Sequence, residues 1–279
     1  MQTITQTLVK ETIKKRATQT HKGSFGKLLI IGGNAQFGGA VILGSSAAVY
    51  SGCGLVTTAT DPHNFTSLHA RLPETMVIDF TDKQTIQTIL KKVDGVVIGS
   101  GLGETPSSLE ILQFVFQNIQ ANQKLIIDGS AIDLIATHHL VLPQAHIIFT
   151  PHEMEWQRLS GIPIKEQSEA NNHAAQQKLL NATVILKKHH TEVYTNHETY
   201  QLLIGGPEMA TGGMGDTLAG MVGAFVTQFS DNETKSILSA VYLHSFIADQ
   251  VGKTQYVVLP HQLIKQIPQT MAQFSNQND

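Results

Sequence analysis

The residues best suited to chemistry lie in one run, Thr211-Gly212-Gly213-Met214-Gly215-Asp216, which opens into the apolar stretch Thr217-Leu218-Ala219-Gly220-Met221-Val222. Glycines reach backbone conformations closed to other residues, so the amides of Gly212, Gly213, Met214 and Gly215 can converge on one anion. A helix starting there adds its positive N-terminal end. Such preorganised donors suit a phosphoryl group in transfer, each worth roughly 3 kcal/mol when aimed at developing charge. Asp216 adjoins this anion pocket and is placed to accept a proton from an attacking hydroxyl. The plainer alternative is a glycine turn whose aspartate caps a helix. A carboxylate directly joined to a glycine-rich turn favours the catalytic reading.

Other motifs are weaker singly. Gly32-Gly33-Asn34-Ala35-Gln36-Phe37-Gly38-Gly39 follows an apolar run and precedes a small-residue stretch, but its spacing is not that of a dinucleotide-binding turn. It can equally serve close helix packing, and Gly99-Ser100-Gly101-Leu102-Gly103 is as ambiguous. Gly252-Lys253-Thr254 has the ending of a P-loop, but Ile247 stands where the first glycine belongs, so it reads as a helix stop. In Thr150-Pro151-His152-Glu153-Met154-Glu155, His152 and Glu155 share a face if a helix starts there. Glu155 could then hold Mg²⁺ through water beside phosphates, or simply be an acid at a helix start. His189, His190 and His197 fit no zinc spacing and read as a solvated hairpin, and His138-His139 as a polar helix end. Cys53, the only cysteine, sits among small residues and reads as buried rather than reactive.

These motifs need a scaffold that brings loops to one edge. Near-continuous Val/Ile/Leu runs predict strands at Lys27–Ile31, Leu55–Thr60, Thr75–Ile78, Gly95–Ile98, Lys124–Asp128 and His146–Thr150. Helical patterns fall between and around them, at Gly39–Tyr50, Lys83–Lys92, Ser107–Gln120, Ala131–Thr137 and Glu166–Leu180. That alternation predicts a mostly parallel α/β sheet covered on both faces. A meander follows at Val184–Lys188, Glu192–Thr195 and Tyr200–Ile204, turning at Asn196-His197, and helices are expected at about Asp216–Phe229, Glu233–Val251 and Pro260–Ala272. Ligands of open α/β sheets sit at the carboxyl ends of strands. The loops there are Gly32–Gly39, Gly99–Thr105, Asp128–Ala131, Thr150–Glu155, Lys187–Thr191 and Gly205–Asp216, which hold most of the unusual residues. No linker or repeat interrupts the chain, so residues 1–279 are expected to form a single domain. A net charge of −3 offers no basic field for nucleic acid or an anionic membrane. No apolar run approaches the ~20 residues of a membrane span, and a cytoplasmic location is the expectation.

Taken in order, His21-Lys22-Gly23-Ser24-Phe25-Gly26, Ile31-Gly32-Gly33, Ser51-Gly52-Cys53-Gly54-Leu55-Val56-Thr57, Ile98-Gly99-Ser100-Gly101-Leu102-Gly103, Thr150-Pro151-His152 and the segment Met209–Gly220 resemble the NAD(P)H-hydrate dehydratase family of the ribokinase-like superfamily. The likeness covers nearly the whole chain. It implies a three-layer αβα fold and ADP- or ATP-dependent dehydration of the S form of hydrated NADH and NADPH. It also implies Mg²⁺ and often a homotetramer. By resemblance Asp216 is the base that activates the ring hydroxyl, and Gly212–Gly215 form the anion pocket. Ala40, Gly103, His152 and Asp216 match positions that hold the hydrated nicotinamide nucleotide. Lys187, Lys188, His189, His190, Thr191 and Gly215 match those that bind the adenine nucleotide, and Glu155 takes the place of an acid that organises Mg²⁺ and phosphate. Three departures stand out: Lys188 replaces a usual glycine, Ser100 a common proline, and Gly129-Ser130-Ala131 a usual second Asp or Asn. Two other functions fit the same motifs. One is a kinase for a small alcohol, such as hydroxyethylthiazole or a sugar alcohol. The other is a non-catalytic nucleotide sensor, against which the carboxylate of Asp216 argues.

Overall fold

The computed structural model describes residues 1–180 and 182–276. Strands run at β1 (Gln2–Thr3), β2 (Lys27–Ile31), β3 (Leu55–Thr60), β4 (Met76–Asp79), β5 (Gly95–Ile98), β6 (Lys124–Ile127), β7 (His146–Phe149), β8 (Thr183–Leu186), β9 (Glu192–Tyr194) and β10 (Thr199–Gln201). Helices are α1 (Gln6–Thr12), α2 (Gly38–Tyr50), α3 (Phe65–Arg71), α4 (Lys83–Leu90), α5 (Pro106–Asn118), α6 (Ser130–His138), α7 (Glu153–Ser160), α8 (Glu169–Gln177), α9 (Met214–Gln228), α10 (Glu233–Gly252) and α11 (Pro260–Asn276).

All ten strands join one sheet in the order β1-β10-β9-β8-β7-β6-β5-β2-β3-β4. From β4 to β8 every pairing is parallel, and β9 reverses direction against both β8 and β10. Side chains alternate faces along a strand, and both faces of this sheet are dry. Leu28, Ile30, Val97, Ile126, Ile148 and Ile185 join a core with α2, α9, α10 and α11. Their neighbours Leu29, Ile31, Val96, Ile98, Ile127, Phe149 and Leu186 join a second core with α4, α5, α6 and α7. The expected three-layer αβα class is what forms, with the meander at the far edge.

Helix α9 is buried along almost its whole length, as a helix apolar on every side must be. It lies against α2 at backbone distance: a Cβ on Gly220 would fall 2.1 Å from the carbonyl oxygen of Gly44. Small residues in both helices therefore lower α9 onto the sheet, which sets the depth of its first turn.

Several boundaries depart from the sequence expectations. β8 stops at Leu186, so Lys187 and Lys188 belong to the following loop rather than to the strand. The strand expected at Thr75–Ile78 is β4, which begins at Met76, with the Thr75 hydroxyl drawn inward to the carbonyl of Val56. The helix expected from Glu166 starts at Glu169, where the Ser168 hydroxyl accepts from Asn171 N–H as an N-cap. The last meander strand is Thr199–Gln201 rather than Tyr200–Ile204. Helices α1 and α3 were not anticipated, being only 7 residues each. Gly252 ends α10, in keeping with a helix stop, and His139 ends α6 in the left-handed region. Among the described residues no helix is long and apolar enough to cross a membrane.

Candidate functional site

Parallel register assembles the centre of the site. Ile31, Ile98, Ile127 and Phe149 lie side by side at the carboxyl ends of β2, β5, β6 and β7. The residues just beyond therefore emerge together, and three of them, Ser100, Asp128 and Thr150, share hydrogen bonds. Ser100 Oγ donates to Asp128 Oδ2 at 3.0 Å and Thr150 Oγ1 to Asp128 Oδ1 at 2.6 Å. Lys187, just past β8, crosses to Asp128 Oδ1 at 2.9 Å and stands 4.0 Å from Glu155 Oε2. Burial raises the Asp128 pKa, but the Lys187 ammonium and these hydrogen bonds outweigh it and hold the carboxyl below its usual range. Burial likewise pushes Lys187 down, and the carboxylates of Asp128 and Glu155 more than offset it, so its pKa is raised.

Glu155 reaches this cluster through the start of α7. His152 caps that helix: its Nδ1 accepts from the amides of Met154 and Glu155, each at 3.1 Å. The Glu155 carboxylate reaches back to His152 N–H at 2.7 Å, completing a capping box. The helix-start reading of these two residues is thus correct, and it is also what aims Glu155 at Lys187. Burial pushes Glu155 up to about 7, with Lys187 opposing and Asp128 adding to the rise. His152 is shifted down, by burial first and then by the Lys187 charge.

Asp216 completes the group. It is the third residue of α9, whose N-cap is Gly213, and the cap makes no side-chain hydrogen bond. The plain capping reading of Asp216 therefore fails, because the cap position is Gly213 and Asp216 lies inside the first turn. Burial and the nearby Asp128 carboxylate push Asp216 up to about 6, against the pull of Ser100 and Lys187. Three acids and one lysine thus share a partly dry space, where the charge of each bears on the others.

The glycine turn has the shape that its sequence suggests. Gly213 has φ +92°, and a Cβ there would lie 2.3 Å from Leu43 Cδ1. A Cβ on Gly212 would meet nothing within 4 Å. The first-turn amides of a helix have no intrahelical acceptor, so α9 presents donors beside Asp216. A Cβ on Gly215 would stand 3.1 Å from Lys187 Nζ, which places the lysine at the mouth of the same turn.

The other expected residues divide. The two earlier glycine loops are zipped together, with Gly33 N–H donating to Ser100 O at 2.9 Å and Asn34 N–H to Gly101 O at 2.8 Å. Ala40 packs under this joint, where a Cβ on Gly101 would reach its Cβ at 2.9 Å. Gly103 donates its N–H to Ser130 Oγ at 3.0 Å. Within Lys187–Thr191 only Lys187 enters the acid cluster. Lys188 pairs with the buried Glu192 at 3.4 Å, and His189 and His190 stack with ring centroids 3.9 Å apart. Position 188 needs no glycine, since the left-handed residue of the turn is His190, with φ +59°.

A family model for NAD(P)H-hydrate dehydratases matches residues 28–269. This chain belongs to the NAD(P)H-hydrate dehydratase family. It is 53% identical over 275 residues to the ADP-dependent (S)-NAD(P)H-hydrate dehydratase of Lactiplantibacillus plantarum, covering 99% of this chain and 98% of that one. Among solved structures, a ribokinase-like superfamily protein of Enterococcus faecalis is similar with 42% identity and a TM-score of 0.96, covering 99% of this chain and 96% of the other. The ADP/ATP-dependent NAD(P)H-hydrate dehydratase of Bacillus subtilis, co-crystallized with ATP/Mg²⁺, is 23% identical with a TM-score of 0.87, covering 98% of each chain, and shares the fold.

Within this dehydratase-family fold, sequence reasoning passed over Asp128, Ser100 and Thr150. Asp128 heads one of the six candidate loops, but spacing assigns it no role, because Gly129-Ser130-Ala131 follows in place of a second acid. A signal was present: a polar residue closing an apolar strand beside another strand that closes on threonine. A cavity of about 780 Å³ lies elsewhere, lined by residues such as Arg16, Tyr50, Phe229 and Met271, and none of the acid cluster borders it. Size does not mark the chemistry here. Cys53 is buried, and burial pushes its thiol up to about 11, which keeps it inert.

Proposed function

We infer that this chain is an ADP-dependent (S)-NAD(P)H-hydrate dehydratase, a lyase that restores NADH and NADPH from their hydrated forms, and we propose that Asp216 is its base. The observation that carries the assignment of Asp216 is its place: a half-buried carboxyl held at about 6, one residue beyond the glycine turn, at the positive end of α9. A base with that pKa is ionised at neutral pH yet still takes a proton readily. The hydroxyl on the reduced ring is a poor leaving group. As Asp216 removes its proton, the oxygen attacks the terminal phosphorus of the nucleotide. A P–O bond forms, the bond to the remaining nucleotide breaks, and the amides of Gly212–Gly215 hold the transferred charge. The lone pair of the ring nitrogen then expels phosphate, and loss of a proton from the adjacent carbon restores the double bond.

Ala40, Gly103 and His152 are proposed to hold the hydrated nucleotide, and Gly215 with Lys187–Thr191 the adenine nucleotide. In that arrangement Lys187 joins the two, with its ammonium at the turn and its partners in the acid cluster. Among the described residues no three acidic, histidine or cysteine groups converge as a metal cage. Oxygen donors at Glu155 and Asp128 nonetheless fit Mg²⁺, which commonly keeps waters and takes its remaining ligands from phosphates. When bound it would neutralise phosphate charge. A single domain, a cytoplasmic location and a homotetramer complete the reading, and sedimentation would check the last.

The deciding experiment incubates the protein with hydrated NADH, Mg²⁺ and either ADP or ATP while reduced-nicotinamide absorbance is followed. Recovery of the band with one phosphate released per turnover is expected with ADP. No recovery with either nucleotide, from folded protein that binds both, would turn the assignment toward a small-alcohol kinase or a sensor.

A further inference from the structure

The segment from 202 to 213 carries the anion turn yet contains only one short 3-10 turn, Pro207–Met209. A stretch with so little internal hydrogen bonding must be fixed from outside, because its backbone groups need partners. The partners come from α10. Both oxygens of Asp249 are used: Oδ2 accepts from Gly205 N–H at 3.0 Å and Oδ1 from Gly206 N–H at 2.9 Å. Ser245, one helical turn earlier, closes on the same place. Its Oγ would stand 3.1 Å from a Cβ on Gly205, whose φ of +107° already requires glycine.

On the same helix His244 is 4% exposed, and its Nε2 is buried without a hydrogen-bond partner. The chain leaving α10 adds two more ties, from Val258 N–H to Glu208 O at 2.8 Å and from Thr211 Oγ1 to Val258 O at 3.2 Å. α10 itself is anchored among α1, α9 and α11 in the larger core.

We propose that Asp249 is a positioning residue for the reaction: it clamps Gly205 and Gly206 to α10 and so sets where the anion turn stands relative to Asp216. The proposal rests on the reading of Gly212–Gly215 as the phosphoryl pocket. Asp249 touches no reacting atom. Its effect passes through the loop, so it bears on the transition-state charge and not on the nicotinamide-holding positions Ala40 on α2 and Gly103 and His152 on other loops.

The test uses the full chain and steady-state kinetics with hydrated NADH and ADP. In Asp249→Asn one glycine N–H loses its acceptor and faces an amide N–H instead. A displacement of about 1 Å at the reacting centre costs on the order of 10²-fold, so kcat should fall by about that factor while KM for the hydrate and the melting temperature stay near the parent values. Asp249→Glu keeps both acceptor oxygens but sets them one methylene further out, so it should recover about tenfold of the loss and stay about tenfold below the parent. If the Asn variant does not fold, the Glu variant decides alone, through a reduced kcat at unchanged KM for the hydrate. Parental kcat in either folded variant, or a rise in hydrate KM that matches the fall in kcat, overturns the clamp. Asp216→Ala run beside them separates the two levels of inference. An active Asp216→Ala enzyme would sink the reading of the pocket, whereas an inactive one beside a fully active Asp249→Asn would sink only the clamp.

Discussion

Two glycine-rich loops that look alike in sequence do opposite things in space. In Gly32–Gly39 a Cβ on Gly32 would lie 2.1 Å from the backbone oxygen of Ser100, so that glycine lets one loop lie directly on another. In Gly212–Gly215 a Cβ on Gly212 would meet nothing within 4 Å. At Gly32 backbone fills the space where a side chain would stand. At Gly212 the space is open, and a ligand can approach the amides. Glycine reports that a side chain is excluded, but not by what. The neighbours decide: Gly32 is followed by Asn34, whose Oδ1 accepts from the amides of Gln36 and Phe37 and finishes the turn internally. The later turn is followed by Asp216 and a buried helix.

The largest effect expected from this contrast is catalytic. Asp216→Ala should lower turnover by roughly 10²–10⁴, the usual share of a general base, with nucleotide binding retained in calorimetry. Unchanged turnover would make the second loop as inert as the first. Next comes Gly32→Ala, which should destabilise the fold by about 3 kcal/mol in chemical denaturation, since the added methyl meets backbone and not a movable side chain. Parental stability would show that the two loops can separate.

The pH dependence follows from the raised carboxyl of Asp216. Its folded value of about 6 exceeds the ordinary 3.8, so kcat should fall as pH drops through about 6 and the base is protonated. The same shift makes the ionised group unfavourable in the native state. Wild-type stability is therefore reduced as pH rises from about 4 through 6, relative to a chain lacking the acid. Asp216→Asn should melt higher than the parent above pH 6 and gain nothing below pH 4. Equal gain at both would mean that burial does not raise this group. The smallest structural effect is expected for Gly212→Ala, within about 0.5 kcal/mol of the parent in stability. Its kcat/KM should nevertheless fall about tenfold as the methyl enters the anion pocket, a cost of about 1.4 kcal/mol in the transition state. A stability loss as large as that of Gly32→Ala would erase the contrast.

Much of this was legible before any coordinates. The apolar runs placed six of the parallel strands within a few residues, because strands buried on both faces leave unbroken Val/Ile/Leu segments. The Asp216 turn stood out because a carboxylate beside consecutive glycines has few structural uses. Less legible were α1 and α3, at 7 residues too short for a clear period, and the end of β8, where Lys187 continues the strand's pattern but turns into the site. His152 and Glu155 were placed correctly without it being clear that capping and aiming were one arrangement.

Local chemistry in the chain determined which residues could act: the glycine turn, Asp216, the helix-starting His152 and Glu155, and the alternation that commits the chain to a covered parallel sheet. Only tertiary structure decided which of them meet. Asp128 became the hub of the site through the register of β5, β6 and β7, since neighbouring parallel strands that end level release their next residues into one space. Lys187 became its counter-ion, and Asp249 the clamp of a loop more than 30 residues away, through packing across the sheet and along α10. Residue type and short spacing are written locally. The distance between two residues far apart in the chain is set by how strands pair and helices settle, and no local pattern encodes it.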